Sequence, residues 1–375
     1  MGKVIYLGHF GNSKNNRFVY LPAQTMVRYM HRAINDTSHY VTMISLAQPL
    51  KPCERAEQIL DENTKAIFVK GFKIYKKNLL MRAITKVRKD IEFEKELDNL
   101  IEDGDVLIAY HSLTTVKLIN KLRKKKKFTL ILQVCEVYAD VLEDKKLRKK
   151  EIEFIRSADK YILISDFMKK EIGLEDRECA VCSGSYEVKE RISEPADDGK
   201  IHVVYAGTPD EKKGGAYFAI SSSKYLNEKY HIHILAPTTD EQKVKLKDAI
   251  ENAKKETKCE ITYDGCLGGK KYMEFLQSCH IGLSTQNPEG AYNATSFPSK
   301  ILVYLSNGLN VVSVKIPPIE NSPVGSAMHF YENPTDKNIA DAILSVDINN
   351  GIDTRQIVNK LHNEFVKDLK NLIEN

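Results

Sequence analysis

One phrase opens both halves of this chain: VIYLGHFG from Val4 and HVVYAGTP from His202 each run an apolar, β-rich strand into a glycine turn. Behind each phrase, strand-like runs alternate with helical periodicity, and such alternation closes as a mainly parallel sheet covered by helices on both faces. In the first half the strands are predicted at 3–7, 40–45, 66–69, 105–110, 129–135, 161–164 and 179–183. Polar residues and turn formers crowd VKERISEPADDGK, residues 188–200, and the pattern then restarts. Its second set of strands is predicted at 201–206, 231–235, 260–263, 281–284, 310–314 and 328–330. The expected division is a Rossmann-like domain over 1–187, a linker over 188–200, a second Rossmann-like domain over 201–352, and a terminal helix over 353–375. That helix places Ile357, Val358, Leu361, Phe365, Leu369 and Leu372 on one face, a stripe that needs a partner surface; the first domain is the expected one.

A chain of 375 residues is too long for one ordinary core, which agrees with two domains. Hydrophobic residues make up 42% of it, yet no run approaches the roughly 20 apolar residues of a membrane span, and MGKVIYLGHF reads as a strand, without the length of a signal peptide. A cytoplasmic location follows as the expectation. The seven cysteines sit mostly in apolar runs, as free thiols in a reducing compartment do. Cys179 and Cys182 form a lone CxxC with no second pair at zinc spacing, so they read as packed thiols, and no metal is expected.

Charge is uneven. Residues 70–89, KGFKIYKKNLLMRAITKVRK, carry eight Lys or Arg and no acid, interleaved with Phe72, Ile74, Tyr75, Leu79, Leu80 and Met81. A basic amphipathic segment of this kind suits the anionic inner face of a membrane, and it reads equally as a solvated helix face. The run KLRKKKK at 121–127 reads as a solvated turn. Nucleic acid is not an expected partner, because the remaining charge is balanced and no nucleic-acid motif occurs.

In sheets of this type, ligands bind outside the carboxyl ends of the strands, near the point where strand order reverses. In the second half, YAGTPDEKKGG follows the first strand: Gly207 and Thr208 make the turn, Lys213 offers a point charge, and Gly214 with Gly215 lets backbone approach a ligand. Farther on, NATSFPSKILVYLSNGLNVVS reads as loop, helix, tight turn and strand. Pro298 stands at the first helical position, Ser296 or Phe297 is the cap, and the helix stops at Gly308. Thr295, Ser296, Phe297, Pro298, Ser299 and Lys300 thus gather around a helix start whose N–H groups favour an anion. Two phosphate-friendly turns on one sheet edge fit a diphosphate. In the first half, Gly8, His9, Phe10 and Gly11 follow the first strand, His111 follows DVLIAY, and Glu136 with Tyr138 follows LILQVC. These residues are expected to converge on one rim, where a histidine or a carboxylate can orient a hydroxyl or act as a base. The GxGxxG fingerprint of nicotinamide enzymes is absent at both glycine turns.

On YDGCLGGKKYMEFLQSCHIGLSTQ and SFPSKILVYLSNGLNVVS the chain resembles bacterial family 4-type glycosyltransferases of the GT-B fold, α/β proteins in which two doubly wound Rossmann-like domains face each other across a cleft. The resemblance runs essentially the whole length. It implies a metal-independent enzyme without cofactor, which moves a sugar from a nucleotide-diphosphate donor, UDP-linked by expectation, to a glycan or lipid-linked acceptor in cell-surface polysaccharide synthesis. It assigns Gly207, Thr208, Gly214, Lys213 and the 295–300 turn to the donor and Gly8, His9, Phe10, Gly11, Glu136 and Tyr138 to the acceptor. His111 matches the histidine beside the transferred sugar and, with Lys213, is the catalytic assignment. Two positions depart from the family's pattern: Val303 stands in place of a ribose-binding glutamate, and Thr208 in place of an arginine. Glu289 and Glu320 are candidate replacements for the carboxylate. A non-catalytic nucleotide-sugar-binding subunit is the competing expectation.

Overall fold

The structure is a computed structural model that describes residues 2–11, 17–18, 21–73, 75, 78–211, 214–349 and 351–375, the side chains of residues 21, 22, 291 and 292 apart. The chain forms two compact units, Met1–Ser185 with Asn363–Asn375, and Tyr186–His362.

The first unit is built on an eight-stranded sheet. Its strands are β1 (Val4–Gly8), β2 (Val41–Ser45), β3 (Ala56–Asp61), β4 (Thr64–Phe68), β5 (Val106–Tyr110), β6 (Thr129–Val134), β7 (Lys160–Leu163) and β8 (Cys179–Val181). Their order across the sheet is β8-β7-β6-β5-β1-β2-β4-β3. All neighbours run parallel except β3, which folds back on β4 as an antiparallel edge. Strands β1, β2 and β5 are buried at every position, which is why they read as continuous apolar runs rather than alternating ones. Five of the six residues of β3 are exposed, so its AEQILD sequence shows no buried face and was not predicted as a strand. Chain order reverses between β1 and β5, and the switch point therefore lies beyond Gly8 and Tyr110.

The second unit repeats the plan with six parallel strands: β9 (Ile201–Ala206), β10 (Tyr230–Leu235), β11 (Glu260–Gly265), β12 (Ile281–Ser284), β13 (Asn310–Val314) and β14 (Met328–Tyr331). Their order is β11-β10-β9-β12-β13-β14, the doubly wound arrangement, with its switch point between β9 and β12. Segment 188–200 contains no helix or strand and is tied to the second unit. Ile192 N and Ser193 N donate to Gln277 Oε1 at 2.8 and 3.1 Å, and Ala196 N donates to Ser278 O at 2.9 Å.

The terminal helix, Thr354–Glu374, changes units along its length: residues through 362 group with the second and those from 363 with the first. In the first unit Phe365 is 2% exposed and stacks on Tyr29 at 5.9 Å, while Lys160 Nζ donates to Leu372 O at 3.1 Å. Among the described residues, no helix is long and apolar enough to cross a membrane.

Candidate functional site

At the switch point of the second unit, β9 and β12 pair only at Val203 with Ile281 and Val204 with Gly282, and then separate. The gap is filled by Tyr304, fully buried on the helix Lys300–Ser306. Its hydroxyl accepts from Ala206 N at 2.8 Å and donates to Leu283 O at 3.3 Å, so the two groups left unpaired by the separation share one phenol. The ring lies over Gly282, where an added Cβ would stand 2.3 Å from it.

Immediately beyond lie the turns singled out in the sequence. The Lys300 ammonium sits 3.9 Å from the centroid of the Tyr205 ring, and a Cβ at Gly207 would come 3.0 Å from that same nitrogen. Tyr205 donates from its hydroxyl to Thr208 O at 3.2 Å and lies against Gly215, where a Cβ would be 2.2 Å from the phenol oxygen. Gly214, at φ +77°, starts the helix Gly215–Ser222, whose first N–H groups no side chain caps and whose first turn carries no acid. Thr285 Oγ1, from the end of β12, donates to Gly215 O at 2.8 Å and fixes that helix start over the opening. The site therefore gathers Gly207, Thr208, Gly214 and Lys300 as the sequence predicts, and adds Tyr205, Gly215, Thr285 and Tyr304. Lys213 lies outside the described residues.

Other parts of that prediction are corrected. The helix begins at Lys300 with Ser299 as its cap position, after a turn in which Ile301 N reaches Pro298 O at 3.0 Å, so neither Ser296 nor Phe297 caps it. Thr295 and Phe297 are buried at 1% and 6% exposure, whereas Ser296, Pro298 and Ser299 stay at the surface. Loop 286–294 is stapled by Asn293, whose amide donates to Asn287 O and Pro288 O and accepts from Gln286 Nε2. Glu289 is exposed on that loop, and Glu320 pairs with Lys315 at 3.4 Å.

In the first unit, three strand ends converge around β1, β5 and β6. The His9 ring meets Tyr110 edge-on at 5.9 Å; burial, then nearby Lys89, lower its pKa to about 4. Gly8 O accepts from Leu46 N, Phe10 O from Ser45 Oγ at 2.5 Å, and Gly11 O from Gln24 Nε2 at 2.9 Å. Those three residues thus hold the turn together, with the Phe10 ring against Phe68. Burial, and then half-buried Glu136, push the Tyr138 phenol up, and that phenol donates to His111 O at 3.3 Å.

His111 is not on the rim. It is 1% exposed, its ring lies between Tyr138 and Phe154, and Nε2 is 2.7 Å from Glu151 Oε1. Glu151 also accepts from Tyr138 N at 2.9 Å and Ala139 N at 2.8 Å. Burial alone would raise this carboxyl, but the bonds from His111, Ala139 and Tyr138 outweigh it and hold the pKa below the usual range. An ionised carboxylate accepts only, so His111 donates from Nε2 and Nδ1 is left as a buried atom without a partner. Glu151 lies in KKEIEF, among lysines, where nothing in the sequence marks it as buried.

Beside this rim is a cavity of about 800 Å³ lined by Arg17, Lys70, Arg82, Lys86, Lys89 and Lys117, with Asp90 as the only acid among the described residues of its wall. Arg17 is 4% exposed and donates to Ala47 O and Val69 O, yet its Nε has no partner. Burial lowers the pKa of Lys89 against the opposing pull of Asp90, with Arg17 and Lys86 adding to the lowering. The helix Leu79–Leu100 turns Arg82, Lys86, Lys89 and Phe93 to the cavity, while Leu80, Val87 and Ile91 are 71%, 57% and 56% exposed. Residues 74, 76 and 77 of the basic segment lie outside the described residues. The thiols of Cys179 and Cys182 are both pushed up by burial, as inert packed thiols are.

The architecture defined by these two sheets is that of GT-B proteins, and whole-chain comparison agrees. A trehalose-6-phosphate structure from E. coli bound with UDP-2-fluoro glucose matches with a TM-score of 0.64 and 12% identity, over 98% of this chain and 99% of that one. Sucrose-phosphate synthase from Thermosynechococcus elongatus gives 0.61 at 11% identity, over 99% and 95%. A UDP-forming α,α-trehalose-phosphate synthase from Burkholderia xenovorans, in complex with glucose-6-phosphate, gives 0.61 at 11%, over 99% and 97%. At such identities the likeness is one of fold. No family model and no curated protein matches the sequence.

Proposed function

We propose that the protein is a glycosyltransferase that moves a sugar from a UDP-linked donor to an acceptor carrying a phosphate group. The observation that carries this reading is the Lys300 ammonium held over Tyr205 and Gly207 at the opened end of β9, next to the uncapped start of the helix Gly215–Ser222. A cation and a positive helix end together stabilise the negative charge that builds on a leaving diphosphate. The whole-chain likeness to a protein bound with UDP-2-fluoro glucose supports the donor class. For the acceptor, six cations against one acid among the described lining residues, including a buried Arg17 with an unpartnered Nε, make the first-unit cavity an anion receiver. Phosphate there has two sources, a free sugar phosphate or a phosphate-linked glycolipid. The exposed Leu80 and Val87, within the 70–89 segment of eight cations and no acid, and Ile91 just beyond it on the same cavity-lining helix, favour the lipid-linked form at an anionic bilayer. Synthesis of cell-surface polysaccharide on the cytoplasmic side is the setting this implies.

Isothermal titration with UDP and UDP-glucose tests the donor site: Lys300→Ala should weaken UDP by about tenfold or more, a loss of roughly 1.4 kcal/mol. Absence of UDP affinity in the wild type would overturn the proposal. UDP release with a hexose phosphate or with a phosphate-linked glycolipid in vesicles as acceptor separates the two sources. Thr208 and Val303, in place of a cation and a carboxylate, favour a second reading as a binding subunit; UDP affinity without release in either assay would establish it.

A further inference from the structure

The chemistry above leaves unused a cluster of histidines at the other edge of the second sheet. His202 is the second residue of β9 and lies opposite His231 on β10, and His233 projects from the same face of β10. The rings crowd together: His231 and His233 centroids are 3.8 Å apart, and those of His202 and His233 are 5.1 Å apart. One ring nitrogen from each of the three lies within 4.8 Å of the others. Their side chains are 12%, 12% and 8% exposed, enclosed yet open to entry.

Counting donors shows what the cluster lacks. His202 Nε2 is 3.1 Å from Asp198 Oδ1, and His233 Nδ1 is 3.2 Å from Asp264 Oδ2. A carboxylate accepts only, so each of these nitrogens carries the proton of its neutral ring. Thr262 donates its hydroxyl proton to Asp264 at 2.9 Å, and therefore accepts from His231 Nε2 at 3.0 Å. Three lone pairs remain, on His202 Nδ1, His233 Nε2 and His231 Nδ1. The first two face each other at 2.8 Å, and the third has Glu260 Oε2 at 3.7 Å. Lone pairs do not approach so closely with nothing positive between them. While Asp198 and Asp264 hold the outer protons, either one ring takes up a second proton or a cation binds.

From this juxtaposition we propose that His202, His231 and His233 form a binding site for a divalent transition metal of the zinc type. Three neutral imidazoles suit zinc, and an outer N–H given to a carboxylate is the support that metal-bound histidines commonly have. Zinc–nitrogen bonds of about 2.1 Å at tetrahedral angles set nitrogens about 3.4 Å apart, so His202 and His233 separate by roughly half an ångström on binding. Glu260 or water completes the shell. The site joins β9 to β10 at their starting ends, away from Gly207 and Lys300, so the metal clamps the sheet and takes no part in sugar transfer; the proposal is independent of the donor reading.

The test uses the full chain, prepared without a histidine tag and stripped by chelator. Titration with Zn²⁺ against a chromophoric chelator should give one equivalent per chain, Co²⁺ should give visible d–d absorption, and Zn²⁺ should raise the melting temperature by roughly 4 °C. His231→Gln and His233→Gln should each abolish stoichiometric binding, and Asp264→Asn should weaken it about 10- to 100-fold. All three should keep the wild-type UDP affinity, which shows that they fold. A wild type that binds no Zn²⁺, or variants that bind it as the wild type does, would overturn the proposal; in the first case a shared proton holds the rings.

Discussion

Glu151 accepts three hydrogen bonds from the protein while its side chain is wholly buried, and at this scale one side chain holds a strand end, a histidine and a helix start together. Its depressed pKa is a statement about stability. The ionised form is favoured by folding, so the contribution is complete above the ordinary value of 4.5 and is lost as pH falls through the lower folded-state value. Melting temperatures of the wild type and Glu151→Gln should therefore differ at pH 7 and begin to converge as pH falls below about 4.5. A gap that does not narrow on acidification below that pH would show that the charge is not what matters. Glu151 and Arg17 were illegible in the sequence for one physical reason: a charged residue betrays its burial only through partners, and these come from separate elements, 12 to 40 residues away for Glu151 and 30 to 52 for Arg17. Gly214, at φ +77°, was legible because such a turn needs a glycine whatever surrounds it.

At the scale of elements, the separated ends of β9 and β12 depend on the helix Lys300–Ser306, which delivers Tyr304 into the gap and Lys300 to its mouth. Tyr304→Phe keeps the packing but strips a partner from Ala206 N and Leu283 O, and should cost about 1–3 kcal/mol. The urea midpoint should fall with the slope unchanged, and UDP affinity should fall with it. The helix Leu79–Leu100 makes the opposite case, since its exposed apolar residues add nothing to the fold. Replacing Leu80, Val87 and Ile91 by Ser should leave stability within about 0.5 kcal/mol per site and abolish sedimentation with anionic vesicles. Vesicle binding that survives would remove the lipid arm of the acceptor proposal. Pro298 and Gly308 mark the first of these helices in the sequence, but its start is misplaced by two residues, because Pro298 fits a turn as well as a first helical position.

For the whole molecule, each unit is a doubly wound sheet with its own switch point, and the terminal helix belongs partly to each. Phe365→Ala should cost about 3–5 kcal/mol by opening a cavity against Tyr29 in the first unit. The loss should appear in hydrogen exchange of the first unit, while UDP binding by the second stays at the wild-type level. What the sequence by itself determined is the architecture: buried parallel strands are written as contiguous apolar runs, and glycine turns mark where they end. Only the tertiary structure decided which polar side chains meet. Neighbouring strands of a parallel sheet are joined by long crossovers, so His202 and His231 are remote along the chain and adjacent only across the sheet, and Arg17 reaches Val69 and Tyr304 reaches Ala206 only once helices and loops have packed onto it.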